Sequence, residues 1–136
     1  MIYENAHPAL PGYENHPLMK DRTAGMKFLG YWTDHGYPRR LGTKPSERID
    51  LPRPENFVDE SWDPAERALV ASYLRAGREW EQWRGDSWCR FLCGASMGYR
   101  DLTDGTYVWP EGFAHYIEEH AVRPPQEFID HVRGRQ

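Results

Sequence analysis

Two cysteines and two histidines in the C-terminal half have the residue types and the spacing of a zinc site. They are Cys89, Cys93, His115 and His120, in the pattern C-x3-C-x21-H-x4-H. Zn²⁺ favours four tetrahedral ligands from thiolates and imidazoles, with two to four residues between the cysteines and three to five between the histidines. The pattern fits one zinc ion, provided that the fold brings the four side chains together. The first expectation, however, is a helix-docking segment with no cofactor, and zinc is the alternative.

Regular secondary structure would hold these ligands apart. If residues 87–93 form a strand, Cys89 and Cys93 share a face but lie about 13 Å apart, so zinc binding requires a tight turn between them. On a helix, residues five positions apart differ by about 140° around the axis, so His115 and His120 converge only if the last turn loosens. The interpretation without metal is a pair of buried thiols with half-exposed histidines, since cysteine is often buried without a ligand role.

Two motifs in this half resemble catalytic sites. His115 has Glu118 and Glu119 at three and four residues, which would suit a small hydrolase, although "HYIEEH" matches neither helical metalloprotease pattern. The segment "GASMG" (94–98) would make Ser96 a nucleophile, but that motif needs a strand-to-helix turn and a strand is predicted to follow it. We therefore expect no catalytic residues, and the hydrolase interpretation stays an alternative.

Aromatic residues beside acidic ones indicate a surface for a partner. Strand alternation places Tyr107 and Trp109 on one face of a small sheet, and we expect that such a sheet does not bury both of its faces fully. Tryptophan and tyrosine dominate binding hot spots, so surplus aromatic residues predict contact with another protein. The residues predicted to form this surface are Trp88, Tyr107, Trp109, Tyr116, Glu118 and Glu119.

The longest predicted element is a helix over residues 63–83. Asp63 is a suitable N-cap before Pro64, and apolar residues then recur at three- and four-residue steps. Trp80 and Trp83 continue this stripe. Gly85 is the predicted end of the helix.

Shorter elements surround this helix. Asp104-Gly105 is a hairpin signal because both turn positions favour a positive φ. Strands are predicted at 26–32, 87–93, 99–103 and 106–109, and short helices at 110–120 and 125–132. The sequence thus predicts an α+β fold with one long helix, a small antiparallel sheet or hairpin, and two short C-terminal helices.

The 136 residues are expected to form an irregular N-terminal arm (1–25) and a single α+β domain (26–136). The formal charge of −4 disfavours nucleic acid as a partner, with a basic run at 37–53 as the local exception. No apolar run approaches the ~18 residues that span a bilayer, so no membrane association is expected. Two cysteines without an export signal indicate a cytoplasmic protein.

The segment "LTDGTYVWPEGFAHYIEEHAVRPPQEF" (102–128) resembles a group of uncharacterised bacterial proteins. Their C-terminal half carries a DG-x-x-VWPEG-x-AHY-x-x-EH-x-VR-x-P run. The resemblance implies a soluble bacterial protein and carries over no activity. Our leading functional expectation is a non-catalytic binding or accessory protein, immunity-like, that masks a protein partner. A structural zinc-binding regulatory module is the second expectation.

Overall fold

The computed structural model describes residues 1–4, 7–8, 22–38 and 50–136, without the side chains of Arg84 and Gly85. Within these residues the chain forms a mixed sheet of five strands and three α-helices, which confirms the α+β class. The elements are β1 (Tyr3–Glu4), β2 (Lys27–Phe28), α1 (Pro64–Arg75), β3 (Arg78–Trp88), β4 (Ser96–Thr103), β5 (Tyr107–Pro110), α2 (Phe113–His120) and α3 (Gln126–Gly134), with a short 3-10 turn at Pro54–Phe57.

The sheet is larger than the small antiparallel sheet that we predicted. Its strand order is β1-β2-β5-β4-β3, and β2 pairs with β5 in parallel whereas the other pairs are antiparallel. The predicted turn at Asp104-Gly105 joins β4 to β5. Strand β2 has only two residues of the predicted 26–32, because Gly30 takes a left-handed φ of 84° and the chain leaves the ladder.

The prediction of one long helix is wrong beyond its first three turns. Asp63 caps α1 by accepting a hydrogen bond from the N–H of Ala65, but the helix ends at Arg75. The chain then turns at Gly77, where a Cβ would lie 2.6 Å from the ring of Trp109. Glycine is therefore required for this close passage, and β3 starts immediately after it.

The apparent helical stripe beyond Arg75 comes from an irregular strand. The pairing of β3 with β4 shifts register between Glu79 and Glu81, so Trp80 is an extra residue in a bulge. Trp80 and Trp83 both contact the ring of His7, with centroids 6.2 and 5.1 Å away. Two residues three apart thus share one face, which in a regular strand they would not. The bulge therefore produces the same three-residue spacing of residues on one face that a helix would produce.

The main core lies between the sheet and the helices. Trp109, Phe113 and Phe128 are fully enclosed there, and the indole N–H of Trp109 donates to the carbonyl of Leu74 (3.1 Å). A smaller cluster on the other face of the sheet contains Phe28, Tyr31, Leu51 and Val108. Both faces of β5 are therefore buried, contrary to our expectation, because helices cover one face and the 28–31 and 51 segments cover the other.

The structure describes only part of the remaining predicted segments. The two C-terminal helices are present, but Pro110 ends β5 and α2 begins only at Phe113. Much of the predicted arm (1–25) and of the basic run (37–53) lies outside the described residues. Among the residues that the structure does describe, no helix has the length and apolar character needed to cross a membrane.

Candidate metal centre

The structure brings the four predicted metal ligands together. One ligand atom from each of Cys89, Cys93, His115 and His120 forms a cluster in which all atoms lie within 4.8 Å of one another. The Sγ of Cys89 lies 3.3 Å from Nε2 of His120, and the Sγ of Cys93 lies 3.3 Å from Nε2 of His115. The two Nε2 atoms are 3.2 Å apart. Both cysteines are free thiols.

These separations fit the edges of a tetrahedral zinc site. With zinc–sulfur bonds of about 2.3 Å and zinc–nitrogen bonds of about 2.0–2.1 Å, a regular tetrahedron has sulfur–nitrogen edges of about 3.6 Å and nitrogen–nitrogen edges of about 3.3 Å. The observed 3.3 and 3.2 Å differ from these by a few tenths of an ångström. These three edges are therefore close to the values for one zinc ion, and the other three edges are no longer than 4.8 Å.

The cysteines converge because the chain turns sharply between them. The predicted strand 87–93 ends at Trp88, and the N–H of Leu92 donates to the carbonyl of Cys89 (3.0 Å). Leu92 and Gly94 take left-handed φ angles of 57° and 87°. We call residues 89–95 the cysteine loop. It is the tight turn that zinc binding requires, and it replaces the predicted strand.

The histidines converge because α2 ends in a widened turn. His120 is the last residue of the helix, and the following Ala121 has a left-handed φ of 55°. The N–H of Ala121 donates to the carbonyl of Tyr116, five residues back instead of four. This loosening turns the His120 ring toward His115, although the two residues are five positions apart.

Burial sets the electrostatics of the cluster. It raises the pKa of the Cys89 thiol, and backbone N–H groups of Phe91 and Cys93 that point at its sulfur oppose this shift. Burial lowers the pKa of both His115 and His120; at His115 the charge of Glu119 opposes this shift and the charge of Arg75 adds to it. Both imidazoles are therefore neutral near pH 7, the form in which histidine binds metals.

Three neighbouring residues position the candidate ligands. Sequence reasoning missed two of them and predicted the third, Tyr116, for a partner surface instead. Phe91 stacks on the ring of His120, with centroids 4.3 Å apart and planes 13° apart. The hydroxyl of Tyr116 accepts the N–H of Arg90 (2.8 Å), which ties α2 to the cysteine loop. The Arg90 guanidinium donates to the carbonyls of Thr33 and Trp88 (3.1 and 2.8 Å). The only available signal was the position of Arg90 and Phe91 between the cysteines.

The contacts of His115 are with the cluster and not with the predicted catalytic partners. Glu118 pairs with Arg75 through its carboxylate, and its backbone carbonyl accepts from Arg67 (3.1 Å). Ser96 opens β4, and its hydroxyl accepts the N–H of Gly98 (3.2 Å), so no strand-to-helix turn presents it as a nucleophile. The hydrolase interpretation stays a prediction that no contact among the described residues supports.

The predicted partner surface is reduced to half of its residues. Tyr107, Trp109 and Tyr116 are 2%, 0% and 3% exposed, so they are not available at the surface. Helices α1 and α3 cover the sheet face that carries the first two, and Tyr116 is turned inward on α2. Trp88 is half-buried, and Glu118 and Glu119 are exposed.

A known protein family matches the part of the chain that contains the candidate metal centre. Residues 78–133 match a family described as "Domain of unknown function (DUF7919)", a segment that runs from β3 into α3 and contains all four ligands. This match supports an uncharacterised protein family for that segment. The bacterial origin expected from the 102–128 motif stays a prediction. No curated protein and no solved structure matches the chain.

Proposed function

We propose that this domain is a structural zinc-binding module of the Cys2His2 type. The observation that carries the proposal is the cluster of two sulfur and two nitrogen atoms within 4.8 Å, supplied by the cysteine loop and by α2. Thiolate and imidazole together suit zinc, whereas oxygen ligands suit magnesium or calcium. Four protein ligands complete a tetrahedron and leave no position for a substrate or an activated water, which is typical of structural sites.

The chemistry of this centre is that of a cross-link. Bound zinc would supply a joint between two segments that, among the described residues, also contact each other through Tyr116 and Phe91. The cysteine loop has left-handed residues at Leu92 and Gly94, which are unfavourable for a free chain at the first position. The four ligands therefore hold in place a loop that its own backbone preferences would not hold.

Metal analysis of the purified chain tests this proposal. We expect about one zinc per chain, and a Co²⁺-substituted protein with the absorption bands of tetrahedral coordination and of thiolate-to-cobalt charge transfer. Cys93→Ser and His115→Asn should lose this stoichiometry. His35→Asn is the matched control, because His35 lies outside the cluster. A folded chain that contains no zinc and takes up no Co²⁺ would refute the proposal.

A second candidate function is non-catalytic binding of a protein partner, as in an accessory or immunity-like protein that masks its target. The observation that favours it is Leu92, a large apolar residue at the tip of the cysteine loop that is 58% exposed and has a left-handed backbone. The turn between the cysteines accounts for the left-handed backbone, but it does not account for an apolar side chain exposed at this position, where a partner can reach it. Glu118 and Glu119 add exposed carboxylates on the neighbouring helix.

Photo-cross-linking in the native cell tests this second function. A benzoylphenylalanine at position 92 should give one discrete protein adduct, and the same residue at position 136, which is also exposed, should not. Identical adduct patterns at the two positions, or none at position 92, would contradict a binding role for the cysteine loop.

A further inference from the structure

A cavity of about 330 Å³ lies beside the metal centre. Its volume falls at the lower end of the range of small-molecule sites, about 300–1,000 Å³. Its walls are mainly apolar and are formed by Trp32, Trp83, Met97, Phe113 and Tyr116. Four of these residues are buried in the core, so the walls are fixed by packing.

The polar part of the cavity wall is a buried carboxylate. Asp101 is 2% exposed and lines the cavity together with His7 and Trp83. Its Oδ2 accepts hydrogen bonds from the indole N–H of Trp83 (2.6 Å) and contacts Nε2 of His7 (2.9 Å). The two hydrogen-bond contacts within normal distance end on Oδ2, and the Tyr31 hydroxyl also faces this carboxylate. Oδ1 has two lone pairs, so it can still accept a hydrogen bond from a ligand. A carboxylate oxygen at this depth favours a hydrogen-bond donor from a ligand.

Two further buried polar groups, on Tyr31 and Trp32, belong to residues that line the cavity. The Tyr31 hydroxyl faces Asp101 but has no hydrogen-bond partner within normal geometry among the described residues; Nε1 of Trp32 has none either. Burial, and after it the neighbouring carboxylate of Asp101, raises the pKa of the Tyr31 hydroxyl well above its ordinary value. Buried donors without a good partner are unfavourable, and they concentrate at functional sites.

Two arginines that line the cavity already have hydrogen-bond partners. Arg100 forms an ion pair with Glu111 (2.8 Å), and Arg90 donates to backbone carbonyls. Both guanidinium groups line the cavity, and neither needs an anionic ligand. An anion would also meet the carboxylate of Asp101, and a cation would meet two arginines. A neutral ligand avoids both repulsions.

From these observations we infer that the cavity binds a neutral aromatic molecule whose hydroxyl group donates a hydrogen bond to Oδ1 of Asp101. The ring lies among Trp32, Trp83 and Phe113, where its apolar surface is removed from water. This inference is independent of zinc, because neither Asp101 nor the aromatic walls ligate the metal. The metal centre adds only a fixed position for Tyr116 and Arg90 at one side.

Three probes of similar shape separate the effect of the donated hydrogen bond from the effect of ligand charge. They are 2-naphthol, which is neutral and donates a hydrogen bond; 2-methoxynaphthalene, which cannot donate; and 2-naphthoate, which is an anion. Each is titrated into the purified chain while the indole N–H signal of Trp83 is followed by NMR, because this group donates to Asp101 within the cavity. A Trp83→Phe variant identifies the signal.

We expect 2-naphthol to shift the Trp83 signal in a saturable way and to bind at least about fivefold more tightly than 2-methoxynaphthalene, the effect of one hydrogen bond to a charged group. Asp101→Asn should remove most of this difference. Ser87→Phe, at an exposed serine that lines the cavity, should weaken both naphthalenes, whereas Ser72→Phe, an exposed serine on α1 outside the cavity, should weaken neither.

Several outcomes would overturn the inference. They are the absence of a saturable shift with any probe, equal affinity for the two neutral probes, and tighter binding of 2-naphthoate. Insensitivity of binding to Ser87→Phe would place the probes elsewhere and would also refute it. The Ser87 and Ser72 variants keep Asp101 intact, so the test survives if Asp101→Asn fails to fold.

Discussion

At the scale of single residues, the contact between Gly98 and Glu111 fixes how β4 meets the end of β5. Oε1 of Glu111 accepts the backbone N–H groups of Tyr99 and Arg100 (2.7 and 3.3 Å). Gly98 has a left-handed φ of 77°, and a Cβ there would lie 1.8 Å from Oε1. Gly94 has a similar φ of 87°, but a Cβ there would meet nothing within 4 Å. Comparison of substitutions at these two positions therefore separates the cost of a left-handed backbone from the cost of a steric clash.

We predict that Gly98→Ala destabilises the fold by about 2–4 kcal/mol, because it adds loss of the Glu111 contact to the cost of a left-handed alanine. Gly94→Ala should cost only the latter, about 1 kcal/mol. Urea unfolding at neutral pH measures both values. In the Glu111→Ala background the difference between the two glycine substitutions should shrink. Equal costs in the wild-type background would show that the carboxylate does not occupy this space.

The candidate metal ligands are identified as a group from the sequence. Cys89, Cys93, His115 and His120 have the types and the spacing of zinc ligands, and the structure brings them together. The same residue types also suit buried thiols beside half-exposed histidines, so the sequence does not decide between the two interpretations. The spacing shows that, for zinc binding, the chain must turn sharply between the cysteines and the last turn of α2 must loosen, but it does not predict that either occurs. A left-handed leucine at position 92 carries no signal in the sequence, because leucine rarely adopts that conformation.

At the scale of elements, β3 shows why a real three-residue spacing of aromatic residues led to the wrong prediction of a helix. A bulge at Trp80 reproduces the three-residue step of a helix, and only pairing with β4, distant in sequence, decides between the two. The hairpin turn was predictable because its signal is local. Asp104 accepts the backbone N–H groups of Thr106 and Tyr107 (2.9 and 2.8 Å) and so closes the turn with its own side chain.

Asp104 also joins three elements and gives a prediction about pH. Besides the turn, its carboxylate accepts from the hydroxyl of Tyr73 on α1 and contacts Nε2 of His131 on α3 (2.7 Å). Burial raises the pKa of Asp104, but hydrogen bonds from Tyr107, Tyr73, Thr106 and His131 outweigh burial and hold it below its ordinary value. The ionised carboxylate therefore stabilises the folded state.

This stabilisation should be fully present above about pH 5 and should be lost as the pH falls below about 4, through the lowered folded-state pKa. Asp104→Asn should cost about 1–3 kcal/mol at pH 7, and its deficit relative to the wild type should narrow toward pH 3. Chemical denaturation across this range measures the effect. Asp130→Asn, at an exposed aspartate on α3, is the control. A deficit that does not change with pH would contradict the role given to the ionised carboxylate.

At the scale of the whole molecule, we expect stability from two sources, the hydrophobic core and the proposed metal centre. The core around Trp109, Phe113 and Phe128 is closed by packing of the sheet against the helices, and it includes Cys89 but none of the other three candidate ligands. The metal centre joins the cysteine loop to α2 at one end of this core. Since the core is large for the chain, we expect the domain to remain folded without metal, with only the loop and the adjacent helix end released.

We therefore predict that a zinc chelator lowers Tm by roughly 10 °C, as expected for loss of about 3 kcal/mol of binding energy in a chain of this size, and leaves the far-UV circular dichroism nearly unchanged. Hydrogen exchange should speed up in residues 89–95 and 113–120 and not in α1. The Cys93→Ser variant should not respond to the chelator. Complete unfolding, or an unchanged Tm, would show that the metal has a different role.

The most direct test of the central claim is X-ray absorption at the zinc edge of the purified chain. A Cys2His2 centre predicts two sulfur atoms at about 2.3 Å and two nitrogen atoms at about 2.0–2.1 Å from the metal, in tetrahedral geometry and without a water ligand. A first shell made mainly of oxygen atoms, or one that lacks either sulfur atom, would contradict the account.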